Sequence, residues 1–586
     1  MTWKCLLDWF SFSCIRNEMR HDLECCDKSQ LSAMLETQSG DQSPRSTCYR
    51  LPYSHLQTNL IRAMVALLVT WATFSAATVS AQPRATYTNP VMAGDYPDPS
   101  IIRVGQDYWA TATTSQWSPL FPILHSRDLV NWQIVGAALS QRPDWSDGNY
   151  WAPEISFYRG RYYIYYTGHK KDGSLCVAVM TAANPRGPYI DHGPLICQDA
   201  GSIDAMAVTD EKGERYLVWK EDGNSRNQPT PIWAQKLSSE GTRLVGEKRE
   251  LIRNTAAWES NLVEGPFILR HAGYFYMFYS GNACCGRGCN YAMGVARSRA
   301  LLGPWEKNPA NPILKGNDDW KCPGHGSIAS DARGRDYLLY HAYHPKDFVY
   351  AGRQALLDEV KWGGDGWPTI NNGKGPSARA ASPFGVREDN AEYEVYDDFT
   401  LPLLRPGWQW PQANEPVVAA EGGQLVLAPA AAHARDMLGA VVARTTTTGD
   451  YTATTAIDLS GLKQGTLAGL AAYGDEQNAL GIAVGDGKAT VWRREKGKQQ
   501  TLATDDAPRT PMVYLRMTAT GGDRFRFAVS RDGRRWMAVG EQVKGEYLPP
   551  WDRAVRVALT AGGASGAAAK FEWFRIAPAK APRDAR

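Results

Sequence analysis

Residues 98–113 read DPSIIRVGQDYWATAT. An acid opens the stretch, an apolar strand follows, Gly105 offers a turn, and an aromatic strand returns. Four further stretches repeat the plan: EISFYRGRYYIYYT at 154–167, DAMAVTDEKGERYLVWK at 204–220, EGPFILRHAGYFYMFYS at 264–280 and HGSIASDARGRDYLLYHAY at 325–343. Their first residues, Asp98, Glu154, Asp204, Glu264 and His325, are spaced by 56, 50, 60 and 61 residues. A repeat of that length with two or more short strands per unit predicts a propeller blade. Five blades would aim four carboxyls and one imidazole at a common axis. Grouping that many ionisable side chains away from water is unfavourable unless they carry out chemistry.

Outward from the repeat, residues 87–372 are short strands parted by Gly, Asp and Asn turns, with no long helical period. Pro, Gly, Ser and Ala crowd the start of a linker expected over 373–392. A second strand-rich region at 393–578 alternates in GQLVLAP, DYTATTAIDL and KFEWFRIA, and predicts a β-sandwich. Residues 579–586 read as a disordered tail. The expected fold is all-β, a five-bladed β-propeller followed by a jelly-roll-like sandwich.

Residues 1–63 are polar, carry five Cys and read as a leader or a mis-set start. Residues 64–81 hold an apolar run and end in Val79-Ser80-Ala81, a small-residue cleavage pattern. The expectation is a signal peptide and a secreted or periplasmic protein. The chain would meet a membrane only if that segment stayed uncleaved, as an anchor. Six Cys follow it: Cys176, Cys197, Cys284, Cys285, Cys289 and Cys322. An even number in an exported protein permits disulfides. The 284–289 cluster lacks a second paired set at zinc spacing and reads as a loop disulfide, with the connectivity open. The net charge of +3 is small and the Lys and Arg residues are scattered, so nothing points to a nucleic-acid partner and none is expected. The 21 Trp and 27 Tyr suit both strand packing and the flat faces of sugar rings.

Asp98 lies between Pro97 and Pro99, which fix the local backbone and aim the carboxylate. Asp95 reads as a turn cap. Glu264 lies among Val263, Gly265, Pro266 and Phe267, an apolar setting that raises a carboxyl pKa as a general acid requires. Asp204 is the third carboxyl. Carboxyls straddling a bond are the chemistry of glycoside hydrolysis, and a separation of about 6.5–9.5 Å leaves room for water and inversion.

Together, NPVMAGDYPDPSII, SRDLVNWQIVG, YWAPEI, IDAMAV, EGPFI and GHGSI resemble glycoside hydrolase family 43, over residues 87–372. The resemblance implies an inverting five-bladed propeller enzyme for arabinofuranosides or xylosides. It places the general base at Asp98, the general acid at Glu264 and a pKa-modulating, orienting carboxyl at Asp204. It puts Glu154, Trp151 and Arg353 near the sugar. For Trp151 packing in the core, for Glu154 a strand-head hydrogen bond, and for Arg353 a structural ion pair are the plainer readings. His325 matches an imidazole that relatives place beside an axial calcium ion held mostly by water; a hydrogen bond to axial water is the alternative. No cofactor is required for the chemistry itself. YDDFTLPLLRPGWQW at 396–410 is similar to the start of a concanavalin A-like sandwich attached to many such enzymes.

The leading expectation is an exported exo-glycosidase releasing arabinofuranose or xylose from plant polysaccharides or oligosaccharides. An endo-arabinanase, a galactofuranosidase and a non-catalytic carbohydrate-binding propeller are the alternatives. Sugar, linkage and oligomeric state are not readable from the chain.

Overall fold

The computed structural model describes residues 85–385, 394–433 and 435–579. The expected leader at 1–63, the signal segment at 64–81, linker residues 386–392 and the tail beyond 579 lie outside the described residues.

Five antiparallel sheets of four strands each follow one another along the chain. Their inner strands are Ser100–Val104, Ser146–Tyr158, Ser202–Thr209, Val263–His271 and Lys321–Ser330. Each next strand out, such as Arg161–Lys170, Tyr274–Gly281 or Asp336–Tyr343, is buried on both faces. That explains why YYIYYTG, YFYMFYSG and DYLLYHAY read as aromatic runs without alternation: each blade packs face to face between two others. Apolar clusters fill the seams in order. Phe121 meets Tyr166 between blades one and two, Tyr165 meets Trp219 between two and three, and Met206 meets Phe275 between three and four. Phe278 meets Leu338 between four and five, and Leu357 meets Ile101 between five and one.

The two ends of this ring are stitched together. Thr86–Thr88 pairs with Arg379–Ala381, so part of the expected linker is a strand. The Asn89 side chain exchanges hydrogen bonds with the Leu357 backbone and donates to Ser377.

Residues 394–579 form a sandwich. One sheet holds nine strands centred on Ala569–Pro578 and Tyr451–Asp458, and the other holds six centred on Arg556–Gly562 and Leu467–Asp475. The sandwich is joined to the propeller. Trp410–Pro411 pairs with Trp117–Ser118 of blade one, and Asp552, in the loop before Arg556, accepts from Arg353 Nη2. Three disulfides form: Cys176–Cys197, Cys284–Cys285 and Cys289–Cys322. The 284–289 cluster therefore holds one bridge between neighbours and one to blade five.

Candidate active site

Four of the five blade starters sit where the inner strand leaves regular pairing. The register breaks between Trp151 and Glu154, Ile203 and Met206, Glu264 and Phe267, and across Gly324 and Gly326. Backbone φ is +51° at Asp98, +56° at Asp204 and +36° at His325. A bulge re-aims side chains, and left-handed backbone at non-glycine residues marks strain held in place by its surroundings. A bulge also frees amides that need acceptors. Here the preceding blade supplies them. Asp98 N–H donates to His341 Nδ1 at 3.0 Å, Ile155 N–H to Ser100 Oγ at 2.9 Å, Asp204 N–H to Thr167 Oγ1 at 3.2 Å, and His325 N–H to Ser280 Oγ at 2.9 Å. Gly265 N–H donates to the Asp204 carboxylate itself at 3.1 Å. The side chains that aim the site are thus pinned blade to blade.

The carboxyls are held in opposite ways. Asp98 is buried, which alone would favour its neutral form. Arg353 Nη1 at 3.0 Å from Oδ1, His325 and His341 outweigh that and hold it far below the usual carboxylate range. Thr113 Oγ1 donates to its other oxygen at 2.7 Å. Arg353 is therefore bonded to the Asp98 carboxylate, and the cation fixes its charge.

Asp204 and Glu264 lie on the next arc of the ring. Burial pushes the Asp204 carboxyl up to about 7, with the negative charge of Glu264 adding to it against His325 and Lys220. Glu264 departs from its expected behaviour. Burial in its apolar setting raises its pKa, but Lys220 Nζ at 2.7 Å and the Tyr291 hydroxyl at 2.8 Å reverse the effect, and its carboxyl is held below the usual range. The two carboxyls titrate as a coupled pair, with Asp204 the one whose neutral form burial favours and Glu264 the one whose anion Lys220 favours.

His325 Nδ1 lies 3.5 Å from Asp98 Oδ1 and 3.8 Å from Asp204 Oδ2. The imidazole bridges two carboxylates. Among the described residues no group of three or more His, Cys, Asp and Glu side chains is arranged to hold a metal.

Glu154 is half-buried beside the Ser100 hydroxyl, and burial pushes its pKa up to about 8. Burial thus favours its neutral form, which can donate a hydrogen bond. Trp151 Nε1 donates to Ser115 Oγ at 3.2 Å, and its ring meets that of Trp551 edge-on at 6.1 Å. Trp551 belongs to the sandwich and is 61% exposed.

Several residues escaped the sequence reading. Lys220 is the penultimate residue of the second strand of blade three, Arg215–Glu221, and Tyr291 immediately precedes the third of blade four, Ala292–Ser298. His341, wholly buried, stacks on Tyr291 with centroids 5.7 Å apart. Asp552 comes from the sandwich. Its backbone oxygen accepts from Arg353 Nη2 at 3.0 Å, and its carboxylate accepts from Ser115 Oγ at 2.5 Å. Asp95 is not a turn cap: it accepts from the backbone of Arg353 and of Ala554 and lies 3.5 Å from Arg556. It is a joint between the two domains.

The profile of the glycosyl hydrolases family 43 matches residues 87–368. That of the beta xylosidase C-terminal concanavalin A-like domain matches 396–577. A xylosidase/arabinosidase 43B of Humicola insolens is 31% identical over 428 residues, covering 68% of this chain and 76% of that one. A non-reducing end alpha-L-arabinofuranosidase of Bacteroides ovatus is 26% identical, covering 74% and 83%. The crystal structure of the GH43 protein BlXynB from Bacillus licheniformis superposes with a TM-score of 0.73 at 29% identity, over 84% of this chain and 100% of that one. The blades, the sandwich and these likenesses agree: the chain belongs to glycosyl hydrolases family 43 and is a glycoside hydrolase.

Proposed function

We propose that the protein is an exported, inverting exo-glycosidase that releases arabinofuranose or xylose units from the ends of plant polysaccharide side chains or oligosaccharides. The observation that carries the reading is the opposite treatment of the carboxyls: Asp98 is fixed as an anion by Arg353, while burial raises the Asp204 carboxyl next to Glu264 to about 7. A base that is always charged, and a proton held near neutrality on the carboxyl beside the acid, are what hydrolysis with inversion can draw on.

In this reading Asp98 draws a proton from water as the water attacks the anomeric carbon. Arg353, His325 and Thr113 hold the carboxylate toward that water. Glu264 protonates the departing oxygen. Lys220 opposes this by favouring the Glu264 anion. Asp222 Oδ1 lies 2.9 Å from the same ammonium, so a shift of Lys220 toward Asp222 moves the proton of the pair onto Glu264. Asp204 keeps that proton within the pair and, through Gly265 N–H, sets the backbone on which Glu264 sits. Glu154 donates to a sugar hydroxyl, and Trp151 and Trp551 wall the rim. The sandwich loop against that rim favours a pocket over an open cleft, hence release of terminal units. The relatives named for xylosidase and arabinofuranosidase activity support the sugar class.

The test is release of nitrophenol from aryl arabinofuranoside, xyloside and galactofuranoside, with Asp98→Asn as the control. Turnover of the galactofuranoside alone, or of none, would reject the assignment. Export is tested by the N-terminus of material from the culture fluid or periplasm, expected at Gln82.

A further inference from the structure

Cys289 and Cys322 join two segments that reach the site from different blades. Cys289 lies in the loop between the second and third strands of blade four, Tyr274–Gly281 and Ala292–Ser298, two residues before Tyr291. Cys322 lies in the inner strand of blade five, Lys321–Ser330, three residues before His325. Tyr291 donates to Glu264 Oε1 at 2.8 Å, and His325 Nδ1 lies 3.5 Å from Asp98 Oδ1. One covalent bond thus ties the segment that touches the acid to the segment that touches the base.

Strand pairing holds neither segment at these points. The ladder of blade four ends at Gly281 opposite Ala292, so Tyr291 stands one residue beyond it. In blade five the register breaks between Lys321 and Gly324 and again between Gly324 and Gly326. Cys322 and His325 both have left-handed backbone there, with φ +54° and +36°. Such conformations persist only where the surroundings over-determine them. The blade-four loop is a poor support by itself. It reads NACCGRGCN from Asn282 to Asn290, and its glycines at 286 and 288 leave the chain the most freedom. The Cys284–Cys285 bridge joins neighbours and cannot anchor the loop.

The two bridged segments also touch. A Cβ added at Gly324 would fall on the edge of the Tyr291 ring and 2.9 Å from Ser280 Oγ, which accepts from His325 N–H. Tyr291, Cys322 and Tyr343 lie in one buried cluster. Close packing passes a shift of either segment on to the Tyr291 hydroxyl and the His325 ring.

We propose that the Cys289–Cys322 bridge is a positioning device for catalysis: it sets the Tyr291 hydroxyl on Glu264 and the His325 ring between Asp98 and Asp204. The proposal rests on the assignment of Glu264 as the acid. Full activity then requires these two thiols to be oxidised to the disulfide.

The test is made in the full chain on two substrates. A pentose disaccharide has a poor leaving group and needs the acid; the matching nitrophenyl pentoside needs it less. Replacing both cysteines, Cys289→Ala with Cys322→Ala, is expected to lower kcat on the disaccharide about 10²-fold, the effect of misplacement on the 1 Å scale, with KM little changed. The ratio of disaccharide to aryl kcat should fall about tenfold. The control is the Cys176–Cys197 bridge of blade two, which ties the strand Leu175–Ala182 to the residue after Ile190–Ile196. Its removal should lower Tm and leave the ratio where it was. A merely structural bridge would behave like the control, so an unchanged ratio in the folded Cys289 and Cys322 variant overturns the proposal, as does an equal fall in the control. Gly324→Ala keeps both cysteines and wedges Tyr291 away from Glu264. The same fall in ratio is expected, and its absence in that folded variant overturns the proposal even where the chain without the bridge fails to fold. Glu264→Gln separates the two readings. If it too leaves the ratio unchanged, the acid assignment fails; a fall there with none on loss of the bridge removes the bridge's role alone.

Discussion

Lys220 and Glu264 form a buried ion pair across blades three and four, with Nζ and Oε2 2.7 Å apart. The pair favours the ionised form of the would-be acid. The apolar sequence around Glu264 therefore does not by itself set its proton affinity; a cation from the neighbouring blade does.

Removing that cation tests the arrangement. The pair must be protonated for Glu264 to act, so activity is lost as pH rises through its titration, and burial places the Asp204 carboxyl at about 7. Lys220→Gln withdraws a positive charge, which favours the protonated form. The alkaline limb of kcat/KM is expected to move upward by about one pH unit. An unmoved limb would show that Lys220 has no hold on the catalytic proton.

Replacement of Glu264 by Gln separates acid chemistry from binding. An amide cannot donate the proton that a poor leaving group needs, whereas nitrophenolate leaves largely unaided. Turnover of a disaccharide should fall by about 10²–10⁴-fold and that of the activated aryl glycoside much less. Equal losses on both would remove Glu264 from the role of acid.

The blade starters were legible because each is an ionisable residue at the head of an apolar strand, repeated five times. Their partners were not. Lys220 ends the run YLVWK and reads as a charge leaving the sheet for water; only the bulge on the next blade brings Glu264 to it. His341 lies in DYLLYHAY, a run whose aromatic character masks one buried imidazole. Asp552 is 437 residues from Ser115, its hydrogen-bond partner. No local pattern announces which sandwich loop meets which blade, because that pairing is decided by the packing of two domains. Asp95 was misread for the same reason: its partners, Arg353 and Ala554, are remote in sequence.

Gly265 is fixed by two neighbours. Its φ is +57°, and a Cβ added there would lie 2.8 Å from His325 Cγ. Gly265→Ala must displace the imidazole that bridges Asp98 and Asp204, or else break the Gly265 N–H bond to Asp204. Misplacement on the scale of 1 Å typically costs about 10²-fold in rate. The expected result is that loss in kcat with a folded protein and a lowered Tm. Wild-type kcat in this variant would show that His325 does not order the carboxylates.

The sandwich completes the site as well as covering it. A chain cut to residues 82–385 loses the Asp552 carbonyl that holds Arg353, the Trp551 rim and the strand Trp410–Pro411. It also uncovers Trp117, Tyr343 and Tyr350, all now buried. Such a propeller is expected to aggregate or to turn over weakly, as size-exclusion chromatography and the aryl assay would report. A monodisperse and fully active propeller would make the domains independent modules.

The stereochemical outcome tests the base assignment most directly. Asp98 belongs to blade one and Glu264 to blade four, which are not neighbours in the ring. His325 on blade five, the blade between them, lies 3.5 Å from the Asp98 carboxylate and 3.8 Å from that of Asp204. A retaining enzyme needs its two carboxyls about 5–5.5 Å apart so that one can attack carbon, whereas about 6.5–9.5 Å admits a water. Arg353 and Thr113 occupy both oxygens of Asp98, which suits a base receiving a proton from water better than a nucleophile closing on the sugar. Proton NMR during early turnover should therefore show the anomer opposite to that of the substrate, before mutarotation mixes the two. If the substrate's own anomer forms first, Asp98 attacks carbon and its assignment as base fails.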